Sequence, residues 1–206
     1  MYIARILYPV KVLGPGNRIG IWFDGCEHHC KNCSNPELWE IQEEFHTDMR
    51  MVKTLIESIR ANGEIDGFTL TGGDPFYQPE ALKEVVRYIY GISHDILCYT
   101  GYSKEYLWDS YSDILEYIGV LIDGKYIEAR NNGALLRGSD NQRIIIINNE
   151  LEDRYRRYFK TAKNSIQNFR TRNTIISVGI HKNDYPESIQ KKARELGLSE
   201  AGTGSK

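Results

Sequence analysis

Short apolar runs rich in β-branched and aromatic residues alternate along the chain with segments of helical periodicity. The apolar runs predict five strands, at residues 18–23, 67–71, 96–100, 119–123 and 143–148. Helical patterns lie between them, at residues 48–62, 78–91 and 103–117. This alternation predicts an α/β fold in which mostly parallel strands are joined by right-handed crossover helices. Functional residues are then expected where the strands end, on the carboxyl side of the sheet.

The helical patterns carry start and stop signals of their own. The first places Met51, Leu55, Ile59 and their neighbours on one helical face, which is expected to be the inner one. The second closes on Gly91, a residue type common after helix ends, and the third begins at Ser103, a residue type common at helix starts. The three patterns therefore predict three crossover helices.

The pattern changes after Asn149. Residues 150–167 form a basic, helix-like stretch, a strand candidate follows at residues 173–180, and a final helix is expected after it. We interpret residues 1–149 as the core domain. Residues 150–206 are interpreted as a C-terminal extension packed on that core, with the last residues, GTGSK, as a flexible tail.

Composition and charge narrow the classes of function. The chain has 206 residues, of which 41% are hydrophobic and 26% charged, and its formal net charge is −2. A chain of this length can bury one well-packed domain, and its small net charge gives no global attraction to nucleic acid or anionic membranes. It shows neither a signal peptide nor an apolar run long enough to span a membrane. We therefore expect a cytoplasmic protein, in which clustered cysteines hold metals more often than they form disulfides.

Three of the four cysteines, Cys26, Cys30 and Cys33, lie within eight residues. The spacing C-x3-C-x2-C allows one loop to present all three thiolates to a single metal centre. One candidate is a structural zinc completed by one of the two histidines between the first two cysteines. The other is a [4Fe–4S] cluster with one iron left without a protein thiolate. Three unliganded cysteines are a further alternative, although such a group is exposed to oxidation. Cys98 lies in an apolar strand pattern and is interpreted as a small core residue.

The stretch TLTGGDPF, at residues 69–76, ends an apolar strand in two glycines, an acid and a proline. As local structure it is a strand-to-helix turn, in which Asp74 caps and Pro75 opens the next segment. Beside an iron–sulfur cluster, the same strand end would offer oxygen acceptors to an ammonium group and, at its glycines, room for a ligand. The stretch alone does not decide between the two interpretations.

Five motifs occur in a fixed order. Within residues 8–147 the chain contains YPVKVLGPGNRIGIWFDGCEHHCKNCSNPELW, LTGGDPF, YTGY, VLIDGKY and LRGSDNQRI. Together they resemble the radical S-adenosylmethionine superfamily and, within it, the activating enzymes of the anaerobic (class III) ribonucleotide reductase. Each short motif is weak alone, but five in order are specific. The C-terminal extension exceeds what the compact members of that family carry.

The resemblance implies a partial (β/α) barrel that holds a cluster and a cofactor. Cys26, Cys30 and Cys33 would bind a [4Fe–4S] cluster, whose open iron would be chelated by the amino and carboxylate groups of S-adenosylmethionine. Reductive cleavage of that cofactor would give a 5′-deoxyadenosyl radical. In the resembled family this radical removes hydrogen from a backbone glycine of the large reductase subunit. No catalytic residue is expected beyond the cluster and S-adenosylmethionine.

The resemblance also implies where the cofactor lies. Gly72, Gly73 and Asp74 would run along its methionine moiety. Thr100 and Asp123, at the ends of later strands, are further cofactor-binding candidates, for which an ordinary strand-ending turn is the alternative.

The implied partners are proteins. They are a glycyl radical enzyme, the large subunit of an anaerobic ribonucleotide reductase, and an electron donor such as a flavodoxin or ferredoxin; neither nucleic acid nor membrane is expected. An alternative is a radical enzyme of the same core acting on another protein, a peptide or a small molecule, because core motifs say little about the substrate. A remote alternative is a zinc- or cluster-stabilised binding module.

Overall fold

The computed structural model describes residues 1–170 and 175–181, and its main feature is a six-stranded sheet. The strands, in chain order and in spatial order, are β1 (Ile3–Val10), β2 (Arg18–Phe23), β3 (Gly67–Gly72), β4 (Ile96–Tyr99), β5 (Val120–Asp123) and β6 (Arg143–Ile146). The inner pairings are parallel, and those of the two edge strands are antiparallel. The predicted α/β fold with a mostly parallel sheet is confirmed. The sheet of the described residues is open, with β1 and β6 at its edges, and does not close into a barrel.

Three crossover helices pack on one face of this sheet. They are α1 (Met49–Arg60), α2 (Pro79–Tyr90) and α3 (Lys104–Leu115). The Asp48 carboxylate caps α1 by accepting the Met51 N–H at 2.8 Å, and the Ser103 hydroxyl caps α3 by accepting the Tyr106 N–H at 3.3 Å. The three predicted helices are therefore confirmed. Among the described residues, no helix is both long and apolar enough to cross a membrane.

The predicted inner face of α1 is wrong at two positions. Met51 and Leu55 are 54% and 44% exposed. The helix instead buries a second apolar stripe, formed by Met49, Val52 and Ile56. Both stripes have helical spacing, so periodicity alone could not choose between them. The helix buries the stripe that its tertiary setting turns toward the core, and Ile59, predicted correctly, packs at the edge of that stripe.

The five strands predicted from apolar runs are present as β2 to β6, whereas the sequence pattern gave no signal for β1. That strand is an edge strand whose pairing with β2 shifts register between Ile3 and Arg5 and again between Leu7 and Val10. Each shift changes which residues face the core, so the alternation expected of a strand is broken.

The described part of the C-terminal extension forms α4 (Glu152–Thr161) and a hairpin of β7 (Ile166–Arg170) and β8 (Ile175–Gly179). The helix-like pattern predicted over residues 150–167 is wrong in its last part, because the chain becomes extended at Ala162 and then enters β7. The strand candidate at residues 173–180 is confirmed as β8. The predicted final helix and the GTGSK tail lie outside the described residues.

The extension packs on the sheet face opposite the crossover helices. Side chains alternate between the two faces along each strand. Leu97 and Val120 therefore point away from the helices, and they share a cluster with Tyr155 of α4. Trp22 of β2 likewise packs with Val178 of β8.

A buried ion cluster ties α4 to the amino ends of the strands. Asp95, just before β4, accepts hydrogen bonds from Arg18 at 3.0 Å and from the Tyr155 hydroxyl at 2.8 Å. Arg154 of α4 pairs with the same carboxylate at 2.9 Å. Arg18 is fully buried, and a buried charge is stable only when it is paired in this way. The cluster thus stabilises the end of the sheet that is opposite to the carboxyl ends of the strands.

Candidate functional site

The three clustered cysteines lie in a loop that begins directly after β2. The loop is closed by backbone bonds from Gly25 N–H to the Leu38 carbonyl at 3.0 Å and from Cys26 N–H to the Trp39 carbonyl at 2.8 Å. Cys26 is buried, whereas Cys30 and Cys33 are half-buried. The loop therefore presents its thiols at the carboxyl ends of the parallel strands, where the sequence predicted the chemistry.

Backbone N–H groups point at the sulfurs of this loop. The His28 N–H donates to Cys26 Sγ and the Asn35 N–H donates to Cys33 Sγ, each at 3.4 Å. Burial raises the pKa of the Cys26 thiol to about 11. Burial also raises the pKa of Cys30, against the opposing effect of a backbone N–H from Tyr126. Such N–H donors can stabilise the sulfur ligands of an iron–sulfur centre.

The fourth cysteine lies apart from this loop. Cys98 is fully buried in the hydrophobic cluster between the sheet and the crossover helices, as the sequence predicted. Among residues 1–170 and 175–181, no three or more His, Cys, Asp or Glu side chains are arranged to hold a single metal ion.

The two glycines at the end of β3 bring this strand against the cysteine loop. The Gly73 N–H bonds to the Phe23 carbonyl at 2.8 Å, and the Asp74 N–H bonds to the Gly25 carbonyl at 2.9 Å. A Cβ at Gly72 would lie 2.2 Å from the Phe23 carbonyl oxygen, and one at Gly73 would lie 2.3 Å from that of Gly25. The neighbouring backbone thus fills the space beside these glycines, where the sequence analysis had expected room for a ligand.

Asp74 and Thr100, both predicted site residues, meet beneath the cysteine loop. The Thr100 hydroxyl lies 3.0 Å from both oxygens of the buried Asp74 carboxylate. The same carboxylate accepts the N–H groups of Phe76 at 3.0 Å and Gly101 at 2.7 Å, and His28 Nε2 lies 3.0 Å away. The expected capping by Asp74 is therefore present, together with contacts to two further segments.

Asp123 has a different set of contacts. Its buried carboxylate pairs with Arg143 of β6 and accepts the Lys104 N–H of α3 at 2.7 Å. These contacts join β5, β6 and α3 at the rim of the sheet. Nothing in them reaches the cysteine loop, and the cofactor role of Asp123 stays a prediction.

A cavity of about 920 Å³ opens beside Cys33. Strand β8 forms one wall, and the loop after β5, with Tyr126 and Glu128, forms another. A recess of about 160 Å³ shares part of this lining and reaches inward to Trp22, Thr71, Tyr99 and Gln142. The volume of the cavity beside Cys33 lies within the range typical of cofactor and ligand sites.

Sequence reasoning did not single out Tyr99, which lines the recess. The Tyr99 hydroxyl is buried and has no hydrogen-bond partner among the described residues. Burial raises the pKa of Tyr99 above its usual range, so the hydroxyl keeps its proton and can donate. Strand alternation could have identified it, because Cys98 and Tyr99 must face opposite sides of β4.

The chain is similar to known iron–sulfur proteins over its core. Residues 12–145 match the family described as "4Fe-4S single cluster domain". The anaerobic ribonucleoside-triphosphate reductase-activating protein of Enterobacteria phage T4 is 36% identical over 144 residues, covering 67% of this chain and 90% of the phage protein. Proteins of the same name from Vibrio cholerae and Escherichia coli K12 are 35% and 29% identical, covering 66% of this chain and 93% and 92% of their own lengths. The family match ends before α4, so the extension lies outside it.

Proposed function

We propose, on the premise that this chain belongs to the family of anaerobic ribonucleoside-triphosphate reductase-activating proteins, that it installs a glycyl radical on the large subunit of an anaerobic ribonucleotide reductase. The observation that carries the proposal is the loop of Cys26, Cys30 and Cys33, held against the end of β3 inside the region that matches a 4Fe-4S domain. An electron donor such as a flavodoxin or ferredoxin would supply the reducing electron.

The cysteine loop suits a [4Fe–4S] cluster with three protein thiolates. The donors are soft sulfurs, they sit beside a cavity, and backbone N–H groups point at them. Bound there, the cluster would supply one electron for the reductive cleavage of S-adenosylmethionine, the source of the radical that would take hydrogen from the glycine of the partner. The chain itself binds and orients the reactants and limits the access of water.

The end of β3 and the recess would hold S-adenosylmethionine. Gly72, Gly73 and Asp74 would run along the methionine moiety, through backbone atoms more than through the Asp74 carboxylate, whose oxygens already accept several donors. The hydroxyls of Thr71 and Tyr99 would form hydrogen bonds with the remainder of the cofactor, since both residues line the recess.

The partner protein would reach the radical through the open side of the sheet. We take the open sheet as the partial (β/α) barrel of the radical S-adenosylmethionine superfamily. The 920 Å³ cavity beside Cys33 is then the entrance for a glycine-containing loop of the reductase.

One observation favours a second candidate. Strand β8 lines the entrance but lies outside the matched family region. The same radical chemistry could therefore act on another protein, a peptide or a small molecule, with the extension setting the specificity.

Electron paramagnetic resonance on anaerobically reconstituted, reduced protein tests the proposal. The sample contains S-adenosylmethionine and the reductase large subunit from the same source. A glycyl-radical doublet that requires all three components is expected. If 5′-deoxyadenosine accumulates without the doublet, the radical chemistry stands and the assigned substrate is wrong; if neither forms, the radical chemistry is wrong.

Matched cysteine variants test the ligand assignment in the same assay. Cys30→Ala should lose the cluster and its colour. Cys98→Ala should keep both, because Cys98 is a core residue on β4. Loss of the cluster in Cys98→Ala would overturn the assignment.

A further inference from the structure

His28 lies between the first two cysteines, and its side chain points into the protein. The side chain is only 5% exposed, and its Nε2 lies 3.0 Å from Asp74 Oδ2. Its neighbour His29 is 49% exposed and lies 3.7 Å from Glu40. The two adjacent histidines therefore have opposite environments, and only His28 joins the loop to the end of β3.

Asp74 is the point at which three segments meet. Its carboxylate accepts from the Phe76 N–H after β3 and from the Thr100 hydroxyl and Gly101 N–H after β4. Backbone N–H groups can only donate, so these partners fit an ionised carboxylate, and His28 must then donate through Nε2–H. Hydrogen bonds to a charged acceptor are among the stronger ones in proteins.

The Thr100–Gly101–Tyr102 turn is shaped as a socket for the His28 ring. A Cβ at Gly101 would lie 2.2 Å from His28 Cδ2, so only glycine leaves space for the ring. The Tyr102 ring meets the His28 ring edge-on, with centroids 4.5 Å apart. The Tyr102 hydroxyl donates to Glu27 Oε1 at 2.8 Å and so binds the residue next to His28 as well.

We propose that His28 is a positioning residue. Together with Asp74 and the socket, it fixes the loop between Cys26 and Cys30 relative to the end of β3. The inference rests on the proposed function for its consequence, because this contact would set the cluster against the S-adenosylmethionine site. In this proposal the role of the TGY motif is to receive the His28 ring. The role of the Asp74 side chain is to hold the same ring.

The test compares His28→Ala with the neighbouring His29→Ala. In the metal-free full chain, amide exchange at Gly101 should accelerate at least about tenfold in His28→Ala, because the socket loses a charge-assisted hydrogen bond. His29→Ala should leave it unchanged. After reconstitution, His28→Ala should keep its iron but bind S-adenosylmethionine about tenfold more weakly, and the change that this cofactor causes in the resonance spectrum of the reduced cluster should be lost.

Two further variants separate positioning from loss of fold. His28→Gln should restore both properties, because its amide nitrogen can take the place of Nε2. Gly101→Ala keeps His28 but drives its ring from the socket, and should behave as His28→Ala does. The proposal is overturned if His28→Ala matches the wild type, if His29→Ala has an equal effect, or if Gln fails to rescue.

The failure of this inference is distinguishable from that of the proposed function. Exchange at Gly101 in the metal-free chain reports the socket without cluster, cofactor or reductase. A wild-type protein that makes no glycyl radical would contradict the function while leaving the exchange result in place.

Discussion

At the scale of single residues, the glycine pair at the end of β3 is required because two backbone segments approach each other closely there. A Cβ at Gly73 would lie 2.3 Å from the Gly25 carbonyl oxygen and 2.6 Å from that of Leu38. Neither oxygen belongs to a flexible side chain, so the strand end or the cysteine loop would have to move. The identity of this glycine is therefore tied to the shape of the loop, whatever ligand lies beyond it.

Gly73→Ala is accordingly expected to lower the free energy of unfolding by about 2 kcal/mol or more, as overpacking does. Urea unfolding of the metal-free chain measures it. Gly91→Ala is the matched control, since a Cβ there meets only the Tyr88 carbonyl, at 3.5 Å. Gly91 also has helical dihedrals, so its replacement should be neutral or stabilise by up to about 1 kcal/mol. Equal destabilisation by both changes would contradict the account.

At the scale of elements, the face that α1 buries is decided by tertiary packing. Ile56 is fully buried, and Leu55, one residue earlier, is 44% exposed. Ile56→Ala should cost about 2–5 kcal/mol of unfolding free energy through lost burial and the resulting cavity. Leu55→Ala should cost well under half of that, since it removes a side chain that is already in contact with water. Denaturant unfolding of the two variants side by side gives the comparison, and a larger effect at Leu55 would restore the face predicted from periodicity.

A second element-scale prediction concerns the bridge between α3 and β6. Arg143 of β6 bonds both Glu105 of α3, at 2.7 and 2.9 Å, and Asp123. The hydrogen bonds from Arg143 lower the pKa of Glu105 to about 2. A carboxyl whose folded pKa is depressed contributes stability above its unfolded pKa of about 4.3 and loses it as the pH falls toward 2.

The wild type should therefore lose part of its stability between about pH 4.5 and pH 2, and Glu105→Gln should lose less over that range. Unfolding free energies measured at several pH values in this window give the slope. Glu116→Gln, an exposed change on the same stretch of chain, should keep the wild-type slope. An unchanged slope in Glu105→Gln would show that the bridge does not control acid stability.

Comparison of the elements with the sequence patterns shows which parts of the fold and of the site could be predicted from the sequence. Strands β2 to β5 are buried apolar runs. Such runs can be recognised directly in the sequence. Strand β7 is only half-buried, with Gln167 and Asn168 among its residues, so its pattern resembled the helix before it. In the site, the cysteine spacing and the glycine pair could be recognised from the sequence, because the residues of each motif lie close together along the chain. The contacts of His28 with Asp74 and of Tyr126 with Cys30 join segments far apart in the chain, and no local pattern encodes them.

At the scale of the whole molecule, the extension turns an open sheet into a walled cavity. Helix α4 is anchored at the amino ends of the strands through Asp95, and the hairpin reaches toward their carboxyl ends. Gln167 of β7 bonds the backbone of Pro9 and Lys11, which holds the hairpin on the edge strand β1. Core and extension thus contribute different things: the core carries the cysteine loop, and β8 supplies a wall that the matched family region lacks.

A substitution at Ile175 tests whether the wall formed by β8 contacts the partner protein. It is the first residue of β8, it lines the cavity beside Cys33, and it is 70% exposed. If the reductase loop enters here, a large apolar side chain at the entrance is buried on docking. Ile175→Glu would place a charge in that contact.

Ile175→Glu should therefore raise the KM for the reductase large subunit about tenfold or more. The rate of S-adenosylmethionine cleavage without the partner should not change, because the side chain lies at the rim and not at the cysteines. Leu55→Glu is the matched control, since it puts the same charge on an exposed apolar position of α1, whose described residues do not line the cavity. An unchanged KM in Ile175→Glu would mean that the partner approaches by another side, and the extension would then be a structural brace for the sheet rather than part of the recognition surface.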